Sequence, residues 1–355
     1  MKITKVKIEK FSAPLKEPFR VAFGVIEDAD SWTVKIETDE GIYGLGSAFV
    51  AGETMDTCYI VMKMFADAFI GFDPMDIAGA HKLMDSIIYS NGAAKCAFDL
   101  ALYDIIGKKK GLPVYKVLGG TDPVVHNDIT IGINAPEKME ADAKEYVFEK
   151  GFRILKVKTG LDLATDIRAL TLIRNAVGPD VRIRIDANQG YSVETALKAL
   201  PEFEKLGIDA AEQFLPWWDF EGAAELKRKN TTSVKLMLDE SIHNIHDAHR
   251  AAKLDCADFY NIKLMKCGGL YYGAQIADIA EEAGVGCMVG CMQENKISIA
   301  AGVSLVAAKK AIVEADCDSF MFYKGDDDGI AGGFNREGGV FTLLDKPGLG
   351  LDYDI

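Results

Sequence analysis

Lys158, Asp186, Glu212, Asp239 and Lys263 recur every 24 to 28 positions, each at or near the end of a short apolar run. The runs read RILKVKTG, VRIRIDAN, DAAEQFL, VKLMLDE and FYNIKLMK, and a later one, AIVEADCD, carries Asp316 and Asp318. Three acids on successive runs make a hard-oxygen cluster suited to Mg²⁺, with substrate oxygens or water completing its shell. A lysine on either side of such a cluster can take up or deliver a proton at a carbon beside a metal-held carboxylate. Internal salt bridging is the plainer reading. It fits Arg182, Arg184 and Glu314, deeper in their runs, better than it fits the acids at the run ends, since unpaired buried charge is costly.

One strand, turn and helix take about as many residues as separate these charges, so the beat predicts strands alternating with helices around a parallel barrel. The strands begin at NDITIGI, and helix-like segments follow from PEKMEADAKEYVFEKG to NKISIAAGVSLVAAKK. The count is eight strands and seven helices, a (β/α)7β modification of the TIM barrel, with no regular helix after AIVEADCD. Residues 1 to about 50 alternate as strands around an Asp39-Glu40-Gly41 hairpin turn. Residues 53–110 take helical spacing, clearest in GAAKCAFDLALYDIIGKKK, with Ser90-Asn91 as the capping candidate and Gly111-Leu112-Pro113 as the stop. We therefore expect an α+β domain over 1–122, the barrel with the site residues over 123–320, and a C-terminal segment over 321–355 that returns to the first domain.

Residues two apart on a strand share a face. With Leu155, Val157, Ile183, Ile185, Ile262, Leu264, Val313 and Ala315 facing the helices, Lys156, Lys158, Arg182, Arg184, Asp186, Asn188, Asn261, Lys263, Glu314, Asp316 and Asp318 point inward. Charges at the carboxyl ends of barrel strands converge on one mouth. Strands two and six of an eight-stranded ring are opposed, so Lys158 and Lys263 face each other, with the acids between them on one side and strand eight across from the metal. A ligand whose carboxylate meets the metal and whose ammonium meets strand eight holds its α-carbon between the lysines. One removes the α-proton, the other delivers a proton to the opposite face, and the metal stabilises the enediolate charge. That is inversion of a stereocentre.

Composition narrows the class. Of 355 residues, 49% are hydrophobic and 26% charged, ordinary for a soluble protein with one large core and a smaller domain. A formal charge of −14 argues against nucleic acid or an anionic membrane as partner. No long apolar stretch or charged-then-apolar leader is visible, so neither a membrane span nor a secretory signal is expected. Seven scattered cysteines fit a reducing compartment, and Cys287 and Cys291 lack a zinc spacing. A cytoplasmic protein is expected, and a homo-oligomer of an order the sequence leaves open.

The chain resembles the enolase superfamily end to end, in its muconate-lactonizing subgroup and closest to the dipeptide epimerases. The resemblance rests on ALYDIIGKKKGLPVYKVLGG, KVK at 156–158, DANQGY at 186–191, EQ at 212–213, DES at 239–241, NIKLMKCGG at 261–269, GCMQE at 290–294 and DCD at 316–318, in order and spacing. It implies Asp186, Glu212 and Asp239 as Mg²⁺ ligands, Lys158 and Lys263 as the acid/base pair, and the N-terminal domain as a cap over the mouth. It also implies that Lys156 touches the bound carboxylate and lowers the pKa of Lys158, and that Asp316 and Asp318 grip the ammonium of a dipeptide. Gly290 and Met292 would shape the pocket wall, and the loop containing Phe19 and Gly24 would cover the side chain of the epimerized residue. Family members acting on Ala-Glu carry an arginine in that loop. In PLKEPFRVAFGV the matching position is Gly24, while Arg20 sits where the family commonly has a base regardless. An apolar C-terminal residue is expected.

The remaining signals are weaker. His243, His246 and His249 spread over about a third of a helix and read as a solvated face. Cys317 should point outward into packing, and Asp326-Asp327-Asp328 reads as a solvated loop. Glu294 fits two roles, bonding a catalytic or metal-ligating group or capping the helix of NKISIAAG. The expected function is epimerization of an L,L-dipeptide to L,D. Rival readings are N-acylamino-acid racemization, cycloisomerization, a Schiff-base aldolase, and a non-catalytic barrel that binds a ligand.

Overall fold

The computed structural model describes residues 1–22, 24–50, 53–325 and 328–355. Strands β1 (Ile3–Val21), β2 (Gly24–Thr38) and β3 (Tyr43–Phe49) form an antiparallel sheet in that order. Helices α1 (Met55–Phe69) and α3 (Gly92–Lys110) pack on it and α2 (Ile77–Ile87) packs against those two helices, with Val34, Ile36, Leu45, Phe65 and Phe98 buried. Asn91 does stand at the start of α3, but in a left-handed conformation (φ 55°) and without capping through its side chain. Its amide donates instead to Tyr89 O at 2.6 Å, so the sequence reading of that cap is corrected. The stop is Gly111, left-handed at φ 67°.

Helix α3 meets β3 backbone to backbone. A Cβ at Gly46 would lie 1.8 Å from Ala97 O, and one at Gly44 1.9 Å from Ala101 O. Neither carbonyl can yield, because both belong to the helix ladder. Gly46→Ala should therefore lower the unfolding free energy by at least about 2 kcal/mol, read as a shift in denaturant midpoint at constant slope. Gly24→Ala, whose new Cβ would meet no atom within 4 Å, should leave the midpoint in place.

After the short α4 (Val114–Val117) and β4 (Val124–His126), eight strands pair in parallel and in chain order. They are β5 (Ile129–Ile131), β6 (Ile154–Lys158), β7 (Arg182–Asp186), β8 (Ile208–Glu212), β9 (Lys235–Leu238), β10 (Phe259–Lys263), β11 (Gly286–Gly290) and β12 (Ile312–Asp316). Helices α5 (Pro136–Lys144), α6 (Leu163–Val177), α7 (Val193–Lys205), α8 (Phe220–Lys229) and α9 (Ile245–Leu254) alternate with them. Beyond β10 come α10 (Leu264–Cys267) and α11 (Leu270–Glu282), and beyond β11 comes α12 (Lys296–Val306). After β12 the only helical element among the described residues is a 3-10 turn, Ser319–Phe322, in keeping with the missing eighth helix. Closure between β12 and β5 is by single bonds: Asp128 N donates to Ala315 O at 3.1 Å and Cys317 N to Asn127 Oδ1 at 2.7 Å.

Leu155, Val157, Ile183 and Ile185 are buried against the helix layer, as the alternation predicts. Glu314 accepts from the buried Arg184 and from the exposed Arg182, each at 2.6 Å, which bears out the structural role of that group. The C-terminal segment touches both parts of the molecule. Strand β15 (Val340–Leu343) pairs with β14 (Phe334–Glu337) and with β4, while Leu349 N donates to Asp104 Oδ1 on α3 at 2.8 Å. The remaining short strands, β13 (Ala331–Gly332) and β16 (Leu351–Asp352), pair with each other.

Candidate active site

Parallel register sets the site residues in one layer. Lys158 aligns with Asp186, Asp186 with Glu212, Lys263 with Gly290 and Gly290 with Asp316. Carboxylate oxygens of Asp186, Glu212 and Asp239 lie within 4.8 Å of one another, and all three residues are buried. Burial opposes the charge on each. On Asp186 the ammoniums of Lys158 and Lys156 outweigh it and hold the carboxyl low, and on Asp239 those of Lys263 and Lys266 hold it lower still. Glu212 is pushed up to about 8 by burial and by Asp186.

The donor set fits a hard divalent cation. Three carboxylates converge, and Glu212 Oε2 and Asp239 Oδ2 have no aligned hydrogen-bond donor among the described residues. Lys156 Nζ, 2.9 Å from Glu212 Oε2, and Lys263 Nζ, 2.7 Å from Asp239 Oδ2, provide charge without hydrogen-bond geometry. A cation there meets oxygens already stripped of water.

Lys158 Nζ donates to Asp186 Oδ2 at 2.6 Å, and Lys263 Nζ lies on Asp239, so the two ammoniums meet different members of the triad. Burial works against the charge on Lys263, but Asp239 prevails and holds its pKa up. Lys156 lies deeper than expected. Its Nζ touches Asp316 at 2.7 Å, Glu212 at 2.9 Å and Asp186 at 3.2 Å, and these carboxylates overcome burial to hold it charged. It is buried off the cavity wall and ties strand eight to the triad.

Asp316 also accepts from Thr130 Oγ1 at 3.3 Å. Asp318 Oδ2 accepts from Thr130 N at 2.7 Å, and Cys291 Sγ donates to its Oδ1 at 3.6 Å. Burial and the neighbouring Asp316 push Asp318 up to about 7. A cation arriving beside this pair relieves like-charge repulsion. Glu294, raised to about 7 mainly by burial, accepts from Met292 N at 3.1 Å. The cap of α12 is Asn295, accepting from Ile297 N at 3.2 Å, so the capping role weighed for Glu294 belongs to its neighbour.

The residues open onto a cavity of about 1170 Å³, walled by Phe19, Val21, Met292, Cys291, Thr130 and Phe322 near the aspartate pair. Phe19 and Phe322 rings lie 5.1 Å apart. What the sequence suggested as a loop is the paired tip of the β1–β2 hairpin, Phe19 opposite Ile26 and Val21 opposite Gly24, because ladder hydrogen bonds extend past the bulge after Pro14. Phe23 lies outside the described residues. Gly24 is exposed on that tip and Arg20 is exposed beside it, both off the cavity wall. Gly290 likewise is not on the wall: its missing side chain makes room for Asn261, whose Oδ1 would stand 2.5 Å from a Cβ there.

Several neighbours of the triad were not singled out for a role in the sequence. Gln213, at φ 37°, accepts from Asp239 N at 2.8 Å and so aims the third carboxylate. Asn261 Nδ2 donates to Glu212 Oε1 at 2.7 Å, and Lys266 Nζ to Asp239 Oδ1 at 2.5 Å. Phe322 comes from the turn after β12, a region whose sequence has no pattern. His243 stacks edge-on against Trp217 at the rim, His246 and His249 are exposed, and none belongs to a metal-competent cluster among the described residues. Cys317 is buried with Sγ toward Val289 O, outward as expected. Asp326 and Asp327 lie outside the described residues, and Asp328 turns inward to accept from Lys296 N. No described helix is long and apolar enough to cross a membrane.

Residues 3–119 match the family model of the mandelate racemase / muconate lactonizing enzyme N-terminal domain, and residues 138–354 that of the enolase C-terminal domain-like family. The hydrophobic dipeptide epimerase of Enterococcus faecalis is 39% identical over 99% of this chain and 100% of its own. The L-Ala-D/L-Glu epimerase of Clostridium acetobutylicum is 37% identical over 99% of each. A crystal structure of the Enterococcus faecalis dipeptide epimerase complexed with Mg and the dipeptide L-Leu-L-Tyr superposes with a TM-score of 0.96, covering 99% of this chain and all of that one.

Proposed function

We infer the reaction from a premise the matches establish: the chain belongs to the mandelate racemase / muconate lactonizing enzyme family of the enolase superfamily. It is a Mg²⁺-dependent dipeptide epimerase, an isomerase that inverts the C-terminal residue of an L,L-dipeptide to L,D. The observation that carries this reading is the placement of two buried lysines on different members of one acid triad, with a buried aspartate pair on strand eight. Asp186, Glu212 and Asp239 would hold the metal, which supplies the positive charge that stabilises the developing negative charge on the substrate carboxylate. Lys158 Nζ removes the α-proton from the L-configured carbon, and Lys263 Nζ returns one to the other face. Asp316 and Asp318 bind the N-terminal ammonium, and Lys156 holds Asp316 and the triad in register from below. Apolar walls exclude water from the proton-transfer step. Seven free cysteines, six of them buried, support a reducing compartment, and we place the protein in the cytoplasm.

Relatives of similar identity differ in substrate, so the choice rests on this chain's walls. Phe19, Val21, Met292 and Phe322 offer burial worth about 1.5–3 kcal/mol to a Leu, Ile or Phe side chain. No arginine lines the cavity among the described residues, and Lys95 and Lys266 are held by Asp85 and Asp239. An acidic side chain would be desolvated without a partner. Loss of the ammonium contact should cost roughly 2–5 kcal/mol of binding. Ala-Leu and Ala-Phe should therefore exceed Ala-Glu and N-acetyl-Leu in kcat/KM. The measurement is a dipeptide library in D₂O with Mg²⁺, read by mass spectrometry for a gain of one mass unit. A tenfold or greater preference for Ala-Glu would overturn the apolar reading. Preference for N-acetyl-Leu would favour N-acylamino-acid racemization instead. One observation supports a second substrate class: Glu53 on the cavity wall has a buried Oε2 with no hydrogen-bond partner among the described residues, so Ala-Lys belongs in the same library.

A further inference from the structure

Helix α11 begins a short distance beyond Lys263 and lacks a cap of its own. Its N-cap residue is Gly269, at φ 113° and without a side chain. The N–H groups of its first turn have no acceptor within the helix, and one comes from outside the barrel. Asp99, on α3 of the N-terminal domain, accepts from Leu270 N at 2.6 Å through Oδ1 and from Tyr271 N at 3.3 Å through Oδ2. Glycine at 269 is what admits it, since a Cβ there would stand 2.2 Å from Asp99 Oδ1. Asp99 is itself fixed by His81, whose Nε2 lies 2.8 Å from Oδ2, and the His81 ring stacks on Tyr271 at 4.7 Å. Both Asp99 and His81 are buried.

We propose that Asp99, held by His81, is a positioning residue for Lys263, acting by capping α11 from the neighbouring domain. The chain from Lys263 to the cap has little slack. Lys263 ends β10, α10 follows at once, and the N–H groups of Gly268 and Gly269 both return to Leu264 O at 3.0 Å. Lys266, within that segment, bonds Asp239 and also Asn261 O at 3.1 Å. Displacing the start of α11 therefore shifts the strand end that aims Lys263. Among the described residues Lys158 has no such link. The helix after it is capped locally by Asp162, which accepts from Thr165 N at 2.9 Å, and Gly160 N is held by Asp166 at 3.0 Å. The inference is thus an asymmetry: one base is aimed by the barrel alone, the other by both domains.

The proposal rests on the assignment of Lys158 and Lys263 as the two bases, and the test separates the two. Exchange of the α-proton with D₂O is followed for an L,L-dipeptide and its L,D epimer in wild type, Asp99→Ala, Asp99→Asn, His81→Phe and Lys263→Ala. Asp99→Ala should lose about 10- to 100-fold at the L,D substrate, while exchange of the L,L substrate stays within about threefold. Asp99→Asn should recover most of the loss, because its Oδ1 still accepts from Leu270 N and His81 can present a ring nitrogen as acceptor. Equal losses at both substrates, or none, overturn the proposal. If Asp99→Ala does not fold, His81→Phe is decisive: it keeps the stacking and loses the bond, and unchanged exchange at both substrates overturns the proposal. If Lys263→Ala spares the L,D substrate or abolishes exchange at both, the base assignment falls, and the proposal with it.

Discussion

Lys263→Ala should still wash deuterium into the α-position of an L,L-dipeptide while failing to epimerize it, and Lys158→Ala should show the reverse with the L,D-dipeptide. Loss of a positioned general acid or base costs about 10²–10⁴-fold, which sets the expected fall in epimerization. The one-sided survival of exchange follows from the pairing in the site. Removing Lys263 leaves Asp239 with Lys266, whose Nζ stays at 2.5 Å on Oδ1. Removing Lys158 leaves Asp186 with Lys156 at 3.2 Å and with Asn188 N at 2.9 Å. Neither deletion strands a buried carboxylate, so the triad and the surviving base should keep their geometry. Proton NMR of each variant in D₂O, with chiral separation of the products, checks the result. Complete loss of exchange with both substrates in either variant would count against bases working from opposite faces.

The same pairing shows what a sequence exposes and what it hides. Strand periodicity carried the inward set from Lys156 to Asp318, because the period of two is local and a slip by one residue would have put charges into the helix layer. Hence Asp186, the lysines and the Arg184–Glu314 bridge were legible as a set, and the recurring spacing of 24 to 28 residues added Glu212 and Asp239. Depth was not legible. Lys156 and Lys158 share a face in the sequence, yet Lys158 lines the cavity and Lys156 does not, because depth depends on barrel tilt and on the reach of Asp316 from two strands away. Contacts between domains were also hidden. Nothing in the run around Asp99 marks it as the cap of a helix 171 positions away. The left-handed Asn91 shows the converse error, a good capping residue whose backbone conformation turns its side chain elsewhere. The hairpin tip was hidden because Phe19 and Val21 pair across a bulge that breaks the alternation.

The second large effect concerns the metal. Glu212→Gln should weaken Mg²⁺ binding and abolish turnover while leaving the protein folded. The fold should survive because the amide can be accommodated. Asn261 now donates Nδ2 to Glu212 Oε1 at 2.7 Å, and its own Oδ1 has no partner among the described residues. Turning the Asn261 amide over offers that oxygen to the new Gln amide group. Lys156 loses one of three carboxylates but keeps Asp316 at 2.7 Å and Asp186 at 3.2 Å. Glu212 is also the triad member whose proton is hardest to remove, with its pKa near 8, so a cation must first displace that proton to use it. Metal affinity should therefore fall as pH drops below about 8, and the Gln variant should lose that part of the pH dependence. Titration of Mg²⁺ by calorimetry at two pH values, beside unfolding curves, measures both. Full activity of the wild type after exhaustive chelation would sink the metal reading itself. Unchanged Mg²⁺ affinity in the Gln variant would remove Glu212 from the ligand set and leave Asp186 and Asp239 to hold the ion alone.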